Sequence, residues 1–224
     1  MAPFPFDAVG FDLDGTLLDT HQDLGAAVNH ALAGGGFQPV PVEQVEGLIG
    51  GGAKLMLARA LEEQGGVAQA EFRRLYKLLL AFYGEHNAVQ TRPYPQVEEV
   101  LDALAERGVQ MAVVTNKFES FARNILGKLG MTDHFAAIIG GDTLGKGRAK
   151  PAPEPILAAQ EACGGGRFIF VGDSSYDVMA AQAAGVPVIA AAYGYCDKPV
   201  GELGADAVIR SFGELLRLLE DWPA

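Results

Sequence analysis

The sequence predicts an α/β fold, and three observations carry the prediction. From Val109 onward, short β-rich runs alternate with helical stretches, the texture of a parallel sheet covered by helices. Near the amino end, the apolar run Phe6–Phe11 stops abruptly at Asp12-Leu13-Asp14-Gly15. Between these parts, from about Thr20 to Val89, the pattern is helical, with no convincing strand. The expected architecture is a Rossmann-like parallel sheet core with helices on both faces, built from residues 1–18 and 92–224. A small all-helical cap domain, residues 19–91, is inserted after the first strand.

Each element follows from its own local pattern. Phe6–Phe11 ends in Asp and Gly, as a buried parallel strand does where its carboxyl end opens into a loop. Asp23–Ala33, Lys54–Gln64 and Ala70–His86 have helical patterns, punctuated by Gly34-Gly35-Gly36 and Gly50-Gly51-Gly52. The stems of this insertion are Leu18–Thr20 and Val89–Tyr94, the second stiffened by Pro93 and Pro95. Strands are expected at Gln110–Val114, Ala136–Ile139, Arg167–Val171, Val186–Ala191 and Ala207–Ile209. Helices are expected over roughly 118–129, 153–163, 175–184 and 212–221. The uncharged stretch Val178–Cys196 approaches the length of a membrane span. Gly185-Val186-Pro187 interrupts it, so it reads as a helix end, a glycine stop and a buried strand.

The composition narrows the function. The 224 residues are 49% hydrophobic and 20% charged, ordinary values for a globular chain with a sizeable core. Seventeen Lys and Arg against 28 Asp and Glu give a charge of −11. That balance disfavours nucleic acid and anionic membrane surfaces as partners. An anionic substrate must therefore be drawn in by local cations. Cys163 and Cys196 lack metal spacing and read as free thiols of a reducing compartment. No basic and apolar leader is evident at the amino end, so a cytoplasmic protein is expected. His21, His30, His86 and His134 lack metal-ligand spacing, and no Gly-x-Ser-x-Gly elbow occurs. Zinc and serine hydrolases thus find no support.

Four segments carry chemistry. Asp12 and Asp14 stand at i and i+2 of a strand and so face the same way, which lets both carboxylates reach one space, and Gly15 permits a sharp turn. A carboxylate held beside a cation can attack phosphorus; a second acid can protonate the leaving oxygen and then activate water. Thr115, in Ala112-Val113-Val114-Thr115-Asn116-Lys117, offers a hydroxyl and neighbouring N–H groups to phosphoryl oxygens, although alone it reads as a helix cap. Lys150 precedes Pro151 and is held extended, where an ammonium can neutralise phosphoryl charge and keep Asp12 ionised. Asp173 follows a strand directly, with Asp177 one helical turn on. Carboxylates crowded at strand ends repel one another without a cation, and an oxygen-only set suits Mg²⁺ better than zinc. Gly140–Gly147 nearly matches a nucleotide phosphate loop, but Gly147 stands where a hydroxyl is required.

With these four motifs in order, the chain resembles the haloacid dehalogenase-like superfamily of phosphohydrolases over nearly its whole length. The resemblance implies Asp12 as nucleophile, Asp14 as general acid/base, Thr115 and Asn116 as the phosphoryl-binding pair, and Lys150 as the neutralising cation. It implies Mg²⁺ on Asp12, the main-chain carbonyl of Asp14, and Asp173, with Asp177 supporting Lys150 or a metal-bound water. The helical insertion matches a mobile cap. The acid at position 14 favours a phosphatase over a dehalogenase, because a phosphate ester needs its leaving oxygen protonated. The loop Gly50-Gly51-Gly52-Ala53-Lys54, with Lys117 and the Lys150–Pro155 run, is similar to phosphoglycolate phosphatases. Gly51, Gly52, Lys54 and Lys117 are thus candidates to bind the substrate, a small anionic phosphorylated metabolite such as 2-phosphoglycolate. The alternatives are a sugar-phosphate phosphatase, a pyrophosphatase, a phosphomutase and, in a different class, a non-catalytic regulatory module.

Overall fold

A computed structural model describes residues 4–223; residues 1–3 and 224 of the expected core lie outside them. The chain runs through β1 (Ala8–Phe11), β2 (Leu18–Asp19), α1 (His21–Gly34), α2 (Val42–Val45), α3 (Ala53–Glu62), α4 (Gln69–His86) and β3 (Arg92–Pro93). It continues with α5 (Val97–Glu106), β4 (Gln110–Val114), α6 (Glu119–Lys128), β5 (Ala137–Ile139), α7 (Glu154–Ala162) and β6 (Phe168–Gly172). The last elements are α8 (Ser175–Ala184), β7 (Val188–Ala191), β8 (Ala207–Ile209) and α9 (Leu215–Glu220).

Six strands form a parallel sheet in the order β5-β4-β1-β6-β7-β8. Residues of β1, β4, β6 and β7 alternate between the two faces, as the period of two demands. Val9, Phe11, Val113, Ile169 and Ile189 join one buried cluster with residues of α5, α6 and α9. Ala8, Ala112, Val114, Phe170 and Val188 join the other with residues of α7 and α8. Helices therefore cover both faces, as the sequence predicts. The chain leaves β1 first toward β4 and β5, then crosses to β6 on the other side. Ligand crevices form at such a switch point, outside the carboxyl ends of the strands.

Helices α1 to α4 lie between β2 and β3 and pack on one another. Leu24, Ala27, Val28, Ala31 and Leu32 bury one face of α1, and Leu75, Leu79 and Tyr83 bury one face of α4. Each buried Leu contributes about 1.5–3 kcal/mol relative to exposure. The two stems pair as a small antiparallel ribbon, Leu18 opposite Pro93 and Asp19 opposite Arg92.

Helix α5 was absent from the sequence expectations. Its buried Val97, Val100, Leu101 and Leu104 have the i, i+3, i+4, i+7 spacing of an amphipathic helix, so the signal was present. Val186 and Pro187 precede β7 rather than opening it, and the last helix begins as a tight turn at Phe212–Glu214.

Candidate active site

The site grows from the carboxyl ends of β1, β4 and β6. β1 pairs with β6 through Phe11 and Val171, and the Asp12 N–H donates to the Val171 carbonyl at 2.9 Å. Asp12 and Asp173 therefore leave the sheet side by side. Gly15 follows at φ 84°. A Cβ there would collide with the Asp173 carboxylate, so only glycine lets the two loops approach.

Lys150 is the hub. Its Nζ lies 2.8 Å from Asp12 Oδ1 and 2.6 Å from Asp177 Oδ1, and donates to the Val114 carbonyl at 2.7 Å. The approach to Asp12 is close but off the hydrogen-bond direction. Asp177 Oδ2 accepts the Ser174 N–H at 2.9 Å, the Ser174 hydroxyl at 2.6 Å and the Asp173 N–H at 3.2 Å. This capping box at the start of α8 fixes the carboxylate that faces Lys150. Asp173 accepts the Thr16 hydroxyl at 3.2 Å and the Tyr195 N–H at 2.7 Å.

Oxygens of Asp12, Asp173 and Asp177 all lie within 4.8 Å of one another, and all three residues are buried. Burial pushes the Asp12 carboxyl up from its ordinary 3.8 to about 7, opposed by Lys150 and reinforced by Asp177 and Asp14. Asp173 is raised well above the ordinary range by burial, then by Asp177 and Asp12. Lys150 loses from burial but gains more from Asp12 and Asp177, so its ammonium is held. Three buried carboxylates thus face one buried ammonium. The surplus negative charge and the all-oxygen donor set fit a hard divalent cation.

Asp14 points elsewhere. Its Oδ1 accepts the Thr20 hydroxyl at 2.7 Å and lies 3.0 Å from Lys117 Nζ. Lys117 is buried and also donates to the Tyr83 hydroxyl of α4 at 2.7 Å. Lys117, one of the two lysines expected near the substrate, is therefore engaged by Asp14 and Tyr83. The two acids of the first motif lie beyond the end of β1, not within it, with Leu13 fully buried between them.

Thr115 is buried and accepts the Lys117 N–H at 3.2 Å. The Asn116 amide donates to the Lys150 carbonyl at 3.0 Å and to the Gly50 carbonyl, across from the helical insertion, at 3.3 Å. Gly52 takes φ 82°, ψ 163°, a region open essentially to glycine alone. Gly51, Gly52, Lys54, Asp12, Asp14, Thr115, Asn116 and Lys117 all line one cavity of about 310 Å³, at the small end of ligand pockets. Lys54 is exposed at the start of α3.

Other residues escaped the sequence reading. The Tyr195 hydroxyl accepts N–H groups of Thr20 at 2.7 Å and His21 at 3.0 Å, and donates to Asp19 at 3.0 Å. It thereby caps α1 from the core. Asp23 accepts N–H groups of Val89, Gln90 and Thr91 and the Thr91 hydroxyl, tying the first turn of α1 to the second stem. No spacing links these partners, which are about 65 to 175 residues apart in the chain. The loop Gly140–Gly147 packs beside the turn after β4, where Asp142 accepts the Glu119 N–H and caps α6. Cys163 and Cys196 are free, and burial pushes both thiols up to about 11.

A parallel core, a helical insertion and a buried carboxylate cluster at the switch point define an α/β enzyme. The chain belongs to the haloacid dehalogenase-like hydrolase family, whose profile matches residues 9–191. It is 42% identical over 208 residues to the phosphoglycolate phosphatase of Agrobacterium fabrum, covering 92% of this chain and 88% of the relative. It is 39% identical to the phosphoglycolate phosphatase of Mesorhizobium japonicum, covering 92% and 91%. Among solved structures, that of a predicted phosphoglycolate phosphatase from Haemophilus somnus superposes with a TM-score of 0.89 at 32% identity, covering 96% of this chain and 98% of the other. Among the described residues, no helix is long and apolar enough to cross a membrane.

Proposed function

We propose that the protein is a Mg²⁺-dependent phosphatase that hydrolyses a small phosphate monoester, 2-phosphoglycolate, through an aspartyl-phosphate intermediate. The carrying observation is the buried Asp12 carboxylate, 2.8 Å from Lys150 and clustered with Asp173 and Asp177 beside a small cavity. The relatives named phosphoglycolate phosphatase support the substrate.

In this reading an Asp12 oxygen attacks phosphorus, and the bond from phosphorus to the leaving oxygen breaks. Asp14 gives its proton to that oxygen. The Asp14 carboxylate then takes a proton from water, which attacks the aspartyl-phosphate and releases Asp12 and inorganic phosphate. Thr115, Asn116 and Lys150 hold the phosphoryl oxygens, and Lys150 balances the charge that develops on them. Asp12, Asp173 and the main-chain carbonyl of Asp14 would hold Mg²⁺, with Asp177 keeping Lys150 in place. When bound, Mg²⁺ neutralises phosphoryl and carboxylate charge. Residues 19–91 act as the cap over a catalytic core of residues 1–18 and 92–224, and closure excludes water during attack. The N–H groups of Gly51 and Gly52, with Lys54, read the substrate carboxylate. The free, unactivated thiols suit a cytoplasmic setting.

Phosphate release from 2-phosphoglycolate, hexose phosphates and pyrophosphate, with Mg²⁺ and with EDTA, tests this reading. The highest kcat/KM is expected on 2-phosphoglycolate, falling to background in EDTA. Full activity in EDTA would reject the metal assignment, and an isomerised hexose phosphate would identify a mutase instead. Lys54→Ala is expected to raise KM for 2-phosphoglycolate about fivefold, as loss of an exposed ion pair does. KM for p-nitrophenyl phosphate should be nearly unaffected. Equal changes on both substrates would remove Lys54 from carboxylate recognition.

A further inference from the structure

We infer that Lys117 and Tyr83 form a latch between α4 and the core that positions Asp14 for proton transfer, so that the acid is aligned only while the helical insertion is seated. The inference rests on the reading of Asp14 as general acid/base and assigns two further positioning residues.

The geometry is a chain of three groups, Tyr83 and Lys117 buried and Asp14 half-buried. Tyr83 sits on α4 with 1% exposure, and its hydroxyl lies 2.7 Å from Lys117 Nζ. That ammonium lies 3.0 Å from Asp14 Oδ1 and 4.6 Å from the centre of the Tyr83 ring. Thr20 donates to the same Asp14 oxygen at 2.7 Å. Both contacts fall on Oδ1. Among the described residues, no protein group donates to Oδ2, while Asp14 lines the cavity and its side chain is 14% exposed. One oxygen is thus anchored, and the other is left to exchange a proton with whatever occupies the cavity.

Two features make the anchor depend on the insertion. Lys117 stands on the core loop after β4, and its side chain is only 4% exposed. With α4 displaced, the ammonium would lose the phenol oxygen and the ring, gain water, and be free to swing from Asp14. Tyr83 itself does not depend on the lysine for its seat: its ring packs edge-on against Phe121 of α6, centroids 5.3 Å apart at 84°. The ammonium is committed to Asp14 and Tyr83 with the insertion seated, so it is not the group that reads a substrate anion there.

The test compares the wild type, Tyr83→Phe, Lys117→Met and the double variant by kcat/KM with Mg²⁺ on two esters. 2-Phosphoglycolate has an alkoxide leaving group that needs a proton; p-nitrophenyl phosphate departs without one. Because kcat/KM reports the first irreversible step, it isolates leaving-group departure from later hydrolysis. Each single variant is expected to lose about tenfold on 2-phosphoglycolate, part of the range that general acid catalysis supplies. Each should lose less than about twofold on the aryl ester, and the double variant should be no worse than the weaker single, because the two residues act as one chain. Equal losses on both esters, no loss on the alkyl ester, or losses that multiply in the double variant would each overturn the latch. Tyr83→Phe keeps the ring in place; should it not fold, Lys117→Met alone carries the ester comparison. A wild type that hydrolyses neither ester would instead fail the phosphatase reading itself, and the latch with it.

Discussion

Asp12→Asn is expected to leave a folded protein whose turnover is lower by roughly 10⁴-fold or more, the scale on which loss of a nucleophile is felt. Asparagine fills the same volume, and its amide is a far poorer nucleophile than a carboxylate. Structural tolerance has its own argument. Burial holds the Asp12 carboxyl at about 7 rather than 3.8, so ionised Asp12 costs the metal-free fold stability. A carboxyl whose folded value is raised contributes stability below its unfolded value, and that contribution is lost as pH rises through about 7. The neutral amide does not carry this cost. Metal-free Asp12→Asn is thus expected to melt at or above the wild-type temperature at pH 8, with a smaller difference at pH 5. Thermal melts at the two pH values, beside phosphate release, check both halves. A folded variant with a near-wild-type rate would remove Asp12 from its proposed role.

Lys150→Ala carries the largest expected effect on stability. The ammonium is 4% exposed and serves Asp12, Asp177 and the Val114 carbonyl at once. Its removal leaves two carboxylates buried without a counter-charge. Breaking a buried pair in this way costs about 3–5 kcal/mol, or roughly 10 °C in melting temperature for a chain of this size. The sign with pH follows. Without Lys150 the Asp12 carboxyl, already raised by burial, binds its proton more tightly still, so the loss is greatest above neutral pH and shrinks as pH falls and Asp12 protonates. Lys150→Met, which restores volume but no charge, should recover only part of the loss. Thermal melts at pH 5 and pH 8 check this. A pH 8 midpoint within a degree or two of wild type would show that the carboxylates do not rely on the ammonium.

The β-rich runs and the helical stretches were legible because their signals are local: a period of two or of 3.6, with glycine and proline at the ends. Helix α5 is equally legible, since Val97, Val100, Leu101 and Leu104 form a local apolar stripe that tertiary packing does not override. The acids at 12, 14 and 173 stood out because they follow apolar runs at strand ends, and Asp177 because it lies one helical turn beyond Asp173.

By itself, then, the chain determined its parallel core, its helical insertion and the carboxyl edge on which the acids stand. Only the tertiary structure decided where the second cation goes. Lys150 was expected beside Asp12 and Asp177, whereas nothing in the spacing allots Lys117 to Asp14. Packing makes the allotment: β1 lies between β4 and β6, which brings Lys150 to Asp12 and Asp177, while α4 seats Tyr83 over Lys117 and turns it to Asp14. Such pairings span 27 to 138 residues of chain. Local propensity has no reach over that distance, and the choice is made by which buried charges can be neutralised together once the layers close.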